Sequence, residues 1–177
     1  MRKTKSYLVE ICIIAVLAAL GFVLDRFFSF NTMGTKINLA FIPAAFAAAL
    51  LGPVAGALVW GLADLTGSLL LPFGPYHPGF TVCAALMGAV FGWLLKREDV
   101  TATLLIKTGI AVVINCLVIG LFINTAWVSM LYGSKTYWGW FVYRLPEYAI
   151  LVPIELIVLP ALVKLSGRIK KQFGAVI

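Results

Sequence analysis

Six apolar segments, at 7–24, 37–51, 53–71, 80–95, 104–123 and 148–163, take up most of a 177-residue chain and leave little from which to build a soluble body. Hydrophobic residues make up 62% of the chain and charged residues 12%, with a mean hydropathy of +1.03. A water-soluble domain of this length has too little interior to hide that much apolar surface, so the bilayer has to serve as the solvent. The runs are continuous rather than alternating, which argues against a membrane β-barrel. The expected fold is all-α: six transmembrane helices in a compact bundle, forming one domain over 1–177.

A helix that crosses the hydrocarbon core needs ~17–25 apolar residues at ~1.5 Å each. The segments at 53–71 and 104–123 reach that length, although each carries one charge (Asp64, Lys107). The second segment is short and is the weakest candidate for a full crossing. Arg2, Lys3 and Lys5 ahead of an apolar run resemble a secretion signal, but no small-x-small cleavage site leads into a polar domain. The first segment therefore reads as the first membrane helix. Cys12, Cys83 and Cys116 all fall inside apolar segments without CxxC spacing and read as small buried side chains, with no metal site implied.

Six spans put both termini on one side. That side carries ten basic residues: Arg2, Lys3, Lys5, Lys96, Arg97, Lys107, Lys164, Arg168, Lys170 and Lys171. The other side carries four, Arg26, Lys36, Lys135 and Arg144. The bias makes the termini cytoplasmic. The basic pI is thus a matter of topology and contact with anionic lipid, not nucleic-acid binding.

The connectors are as uneven as the charges. On the inner side 51–53 is almost no loop, and 96–103 is a short polar connector. The outer connectors, 25–36, 72–79 and 124–146, are elaborate and collect about half of the aromatic residues, among them Phe73, Tyr76, Trp138 and Tyr143. An interfacial belt accounts for Trp and Tyr at headgroup level. A belt would appear at both interfaces, however, and the inner one offers little beyond Tyr7, Trp93 and Phe173. The alternative is a set of loops that fold over a flat ligand and stack on it.

Ionisable residues at membrane depth are expensive, at ~2.5–3.5 kcal/mol for a charge at the helix centre on insertion scales. Each has a plain reading as an interhelical hydrogen bond or ion pair. Glu10, near the inner end of the first segment, fits that reading. Asp64 and Glu147 approach the outer, aromatic-rich end and are the stronger functional candidates; Asn115 and Glu155 rank below them. Arg144 and Glu147 lie one turn apart and can simply pair. His77 has no second His or Cys to share a metal and reads as a loop contact. Among the outer cations, Arg26 and Arg144 rank above the lysines as receivers of a carboxylate, because a guanidinium binds one with two bonds.

The chain has no nucleotide-binding loop, no HExxH, no nucleophile elbow and no paired-histidine haem site, so nothing points to catalysis or to a cofactor. Small residues recur at i,i+4: Ala15 and Ala19 in the first segment, Gly52 and Gly56, and Gly88 and Gly92. Such faces let helices approach closely. The glycine pairs read as packing within the bundle, and the alanine pair can also receive a partner.

With its six spans, cytoplasmic termini, Ala15-x-x-x-Ala19 pair and elaborate outer loops, the whole chain resembles the substrate-binding S component of an energy-coupling factor (ECF) vitamin transporter. The stretch LLPFGPYHPGFTVCAALMGAVFGWLLK is similar to the third loop and fourth helix of folate-specific S components. The resemblance implies capture of a vitamin outside and docking on a membrane T component through Ala15 and Ala19. Two cytosolic ATPases would then drive a reorientation that releases the vitamin inside. A folate pocket needs aromatic faces and a carboxylate or amide for the pterin edge, with Asp64, Asn115 and Glu147 as candidates. It also needs cations for the glutamate tail (Arg26, Lys36 or Arg144). Phe73, Tyr76, His77, Phe80, Trp138 and Tyr143 are candidates to stack or close over the rings. Pantothenate, thiamine, riboflavin or a queuosine precursor are alternative ligands. A lipid-acting membrane enzyme, with Glu98 and Asp99 as its only clustered inner acids, or a purely structural subunit, are readings from other classes.

Overall fold

The computed structural model describes residues 2–32, 35–96 and 101–173. The connector acids Glu98 and Asp99, with Arg97, lie outside the described residues, and the side chains of Arg2, Lys3 and Lys5 are likewise not described.

Hydropathy alone places most of the bundle. Helix α1 (Arg2–Phe27), α3 (Pro53–Leu70) and α4 (Pro78–Leu95) follow the first, third and fourth apolar segments. A fifth continuous helical run is made of α5 (Thr101–Val112), a π-helical stretch (Val113–Ile123) and α6 (Asn124–Tyr132). Helix α7 (Tyr137–Phe173) completes the set. Five of these runs are long and apolar enough to cross a membrane.

The short second segment forms α2 (Phe41–Leu51), which at ~1.5 Å per residue spans only about half the hydrocarbon core. Five of its eleven residues are alanine and eight are buried, so its neighbours crowd in on it. A helix wrapped in protein does not have to match the thickness of the lipid. Its exposed carbonyl end is closed from two directions: Lys96 donates to the Leu51 carbonyl and Lys170 to the Leu50 carbonyl, each at 3.0 Å. Cations at a helix C-terminus satisfy the orphan carbonyls and the dipole together. The chain then reverses at Gly52, whose φ of 111° favours glycine, and Pro53 opens α3.

Helices α3 and α4 approach until their backbones touch. A Cβ built on Gly56 would collide with the Gly88 carbonyl, one on Gly88 with the Gly56 carbonyl, and one on Gly92 with the backbone of Pro53. These glycines therefore serve packing inside the bundle. Ala15 and Ala19, in contrast, face outward from α1.

Two outer regions differ from the sequence expectation. Within 25–36, which reads as a plain loop, a hairpin forms: β1 (Ser29–Thr32) pairs antiparallel with β2 (Thr35–Asn38), with Phe30 opposite Ile37. Ile37, taken as the start of the second span, thus belongs to a strand. The 124–146 connector is mostly helix, since α6 continues the fifth run and α7 begins at Tyr137, leaving only 133–136 between them. Gly133, at φ 55°, is the αL residue that stops α6. Glu147 accordingly lies well inside α7 rather than opening it. Pro146, Pro153 and Pro160 recur every seven residues along α7, and each removes one backbone donor from the ladder.

Candidate functional site

Between the outer halves of α1, α3, α4, the fifth run and α7 lies a partly open cavity of about 700 Å³. That volume is within the ~300–1,000 Å³ typical of small-molecule sites. Its α7 wall is a single stripe, Arg144, Glu147, Tyr148, Leu151 and Glu155, at helical spacing. The eleven residue steps from Arg144 to Glu155 measure ~16 Å along the axis, so the cavity runs from the outer rim to mid-membrane.

The rim is built by the hairpin and the end of α1. The Lys36 ammonium donates to Asp25 Oδ2 at 2.7 Å, and Arg26 Nε lies 3.2 Å from the same oxygen. Two cations therefore share one carboxylate. Arg26 also donates to Ser68 Oγ (3.3 Å) and lies over the Phe73 ring at 4.6 Å, with Lys36 at 5.6 Å from the same ring. The room for this guanidinium comes from Gly67, where a Cβ would overlap it. A little deeper, Thr81 donates to Asp64 Oδ2 at 2.7 Å, and the Tyr76 hydroxyl is 3.0 Å from the Thr81 hydroxyl.

Arg144 is held by more partners still. Its Nε donates to Glu147 Oε2 (3.2 Å), and its Nη1 reaches the Gly120 carbonyl (3.3 Å) and Thr125 Oγ1 (3.1 Å). Its Nη2 reaches Glu147 Oε1 (3.5 Å) and the Tyr148 hydroxyl (2.8 Å). A guanidinium has five donors, and all five are engaged. Arg144, Glu147 and Tyr148 are each buried. The two-bonded partner of Arg144 is thus Glu147 of its own helix, and Arg26 and Lys36 are the other cations lining the cavity.

At the floor stand Trp60, Phe41, Met87, Asn115, Cys116, Leu151 and Glu155. Trp60 stacks on Phe91 (5.7 Å, 13°), which fixes its ring plane. Asn115 lies on the π-helical stretch and donates to the Met87 carbonyl at 3.1 Å.

Of the residues singled out from sequence, Arg26, Lys36, Asp64, Phe73, Tyr76, Phe80, Asn115, Arg144 and Glu147 line this one cavity. His77, Trp138 and Tyr143 do not. His77 is the N-cap of α4, its Nδ1 accepting from the Gly79 amide at 3.0 Å, and its ring stacks on Trp127. Trp138 is 65% exposed against Tyr137 and Phe141, and Tyr143 lies under the Lys135 ammonium at 3.8 Å. Sequence reasoning missed Asp25, Asn38, Trp60, Ser68 and Tyr148 as lining residues and ranked Glu155 low. One signal for two of them was present: Trp60, Asp64 and Ser68 recur every four residues, which puts them on one face of α3. Among the described residues no group of three or more His, Cys, Asp or Glu side chains has the arrangement of a metal site.

A multi-pass bundle with a ligand-sized, polar-lined cavity at the end bearing its elaborate loops defines a membrane-embedded capture protein. A family profile described as "ECF-type riboflavin transporter, S component" matches residues 5–165. The chain belongs to that family of ECF transporter S components and is a multi-pass cell-membrane protein. It is similar to the folate transporter FolT of Clostridium novyi, with 31% identity over 156 residues and 88% of each chain covered. A folate transporter FolT of Leuconostoc mesenteroides is 25% identical over 154 residues, covering 83% of this chain and 80% of its own. Among solved structures, FolT bound with folic acid superposes with a TM-score of 0.78 at 31% identity, over 87% of this chain and 92% of the other. The S component of another bacterial ECF transporter superposes at 0.53 with 18% identity, over 93% of this chain and 95% of the other, and shares the fold.

Proposed function

We propose that this protein is a folate-capturing S component: one membrane domain that binds the vitamin at the outer face and performs no chemistry on it. The observation that carries the reading is the polarity of the cavity. Cations that share a single carboxylate stand at the rim, aromatic rings line the walls, and acceptors lie toward the floor. Folate has the same order, with an anionic glutamate tail, a flat middle and a heterocycle rich in N–H donors. The likeness to folate transporters and to a FolT structure holding folic acid supports the assignment. Riboflavin is the second reading, favoured by the description of the matching family. It has flat rings but no carboxylate for Arg26 and Lys36.

Uptake then requires partners that carry the energy source. The outward small-residue face at Ala15 and Ala19 is the proposed dock for a membrane T component, and a pair of cytosolic ATPases would drive reorientation. The test is binding to purified, detergent-solubilised protein by calorimetry or tryptophan quenching, with riboflavin, thiamine and pantothenate alongside. One-to-one folate binding without ATP or partners is expected. A response to riboflavin alone would retain the family and overturn the ligand.

A further inference from the structure

Helices of the π type are rare and mostly confined to a single turn, yet here the winding holds for eleven residues, Val113–Ile123. Its outer exit has a local cost. Ordinary α-winding would give the Asn124 amide to the Gly120 carbonyl, four residues back. In this chain that amide bonds the Ile119 carbonyl instead. A carbonyl passed over in this way, buried in a membrane bundle, has no water to turn to. Gly120 finds a donor on another helix: Arg144 Nη1 reaches its carbonyl at 3.3 Å, and Thr125 Oγ1 just beyond the exit at 3.1 Å. The rest of the same guanidinium is fixed by Glu147 and by the Tyr148 hydroxyl. Tyr148 in turn fills the space beside the exit, where a Cβ on Gly120 would collide with its ring.

Exposure along the run shows what the winding accomplishes. Cys116 and Ile119 are buried in the inner half, and α spacing carried on from them lands on Ile123, at i+7 and i+4. Ile123 is nonetheless 39% exposed, and Asn124 and Val128 line the cavity in its place. We infer that Arg144 is a positioning residue for the fifth run: its guanidinium supplies the donor that the π winding withholds from Gly120, and thereby decides which outer residues face the cavity. The role holds for any ligand, since Arg144 acts on the wall and not on what the wall binds. Without the guanidinium, the Gly120 carbonyl is satisfied most directly by taking back the Asn124 amide. That step rewinds the stretch toward α, turns Ile123 inward and carries Asn124 out of the cavity.

The test uses the ligand-free full chain with Cys12→Ala, Cys83→Ala and Cys116→Ala, so that an added thiol reacts alone. Ile123→Cys and Asn124→Cys are introduced one at a time and labelled in detergent with a charged, water-borne methanethiosulfonate. With Arg144 present, the Asn124→Cys protein is expected to react roughly tenfold faster than the Ile123→Cys protein, because the thiolate forms in water and not in the micelle. In Arg144→Leu/Glu147→Leu, which strands no charge, that ratio should fall below one. A ratio that stays above one overturns the inference, whether both rates hold or both rise, because loosening alone speeds the two thiols together. A ratio at or below one with Arg144 in place overturns it as well. Ligand-free melting checks the fold, and Arg144→Met/Glu147→Gln provides the same ratio if the leucine pair does not fold.

Discussion

The cavity contains two guanidinium sites built on opposite principles. At the rim, Arg26 and Lys36 divide one carboxylate between them, and the Arg26 guanidinium lies over the Phe73 ring. Two turns down α7, Arg144 has its own carboxylate, a carbonyl and two hydroxyls, and nothing is left over. Residue type ranks the two arginines equally as anion receptors; what separates them is how many of their donors the protein has already used. The rim arginine keeps fewer protein partners and is the one proposed to meet a ligand, whereas Arg144 joins α7 to the fifth helical run.

The largest effect that tests this contrast belongs to Arg144. Replacing it with leucine leaves Glu147 buried without a counter-charge, a situation that costs about 3–5 kcal/mol. Ligand-free unfolding in detergent should register that loss, and adding Glu147→Leu should recover part of it. A stable Arg144→Leu protein with weakened binding would reverse the assignment. Next comes Arg26→Ala, which removes the charged contact proposed for the ligand tail. Folate affinity is expected to fall roughly ten- to hundredfold, the ~1.5–3 kcal/mol of a charge-assisted hydrogen bond, with little change in melting. The smallest effect is that of Gly67→Ala, whose added methyl occupies the place of the Arg26 guanidinium and shifts it without removing it. About 1 kcal/mol, or roughly fivefold in affinity, is the expected loss. Combined with Arg26→Ala it should add nothing, because the group it displaces is gone.

Membrane residence, span number and the packing role of the glycines were legible because apolar length and small-residue spacing are local signals. The hairpin was not, since SFNT and TKIN are too short and too polar for alternation to show. The helical character of 124–146 was hidden by its Gly, Ser, Lys and aromatic residues, although the chain uses only Gly133 as a true stop. Ionisable residues stranded in apolar runs, Asp64 and Glu147 among them, declared themselves through their cost. Asp25 did not, because its value lies in standing between Arg26, its own neighbour, and Lys36, brought back by the hairpin. Glu155 was discounted for its depth alone, and only the fold reveals that one of its oxygens has no partner.

The π-helical stretch has a consequence for the alignment of everything beyond it. Because its backbone bonds reach five residues back instead of four, as the Asn124 amide does to Ile119, it turns the outer segment relative to the inner one. Asn115 and Cys116 on one side of that adjustment, and Asn124, Val128 and Tyr132 on the other, all end up lining the same cavity. A one-residue deletion within Val113–Ile123 that restored ordinary helix would swing the outer set by ~100° and carry those side chains away from the cavity. The irregular winding acts as a phase corrector that lets one rod contribute to the cavity at two depths.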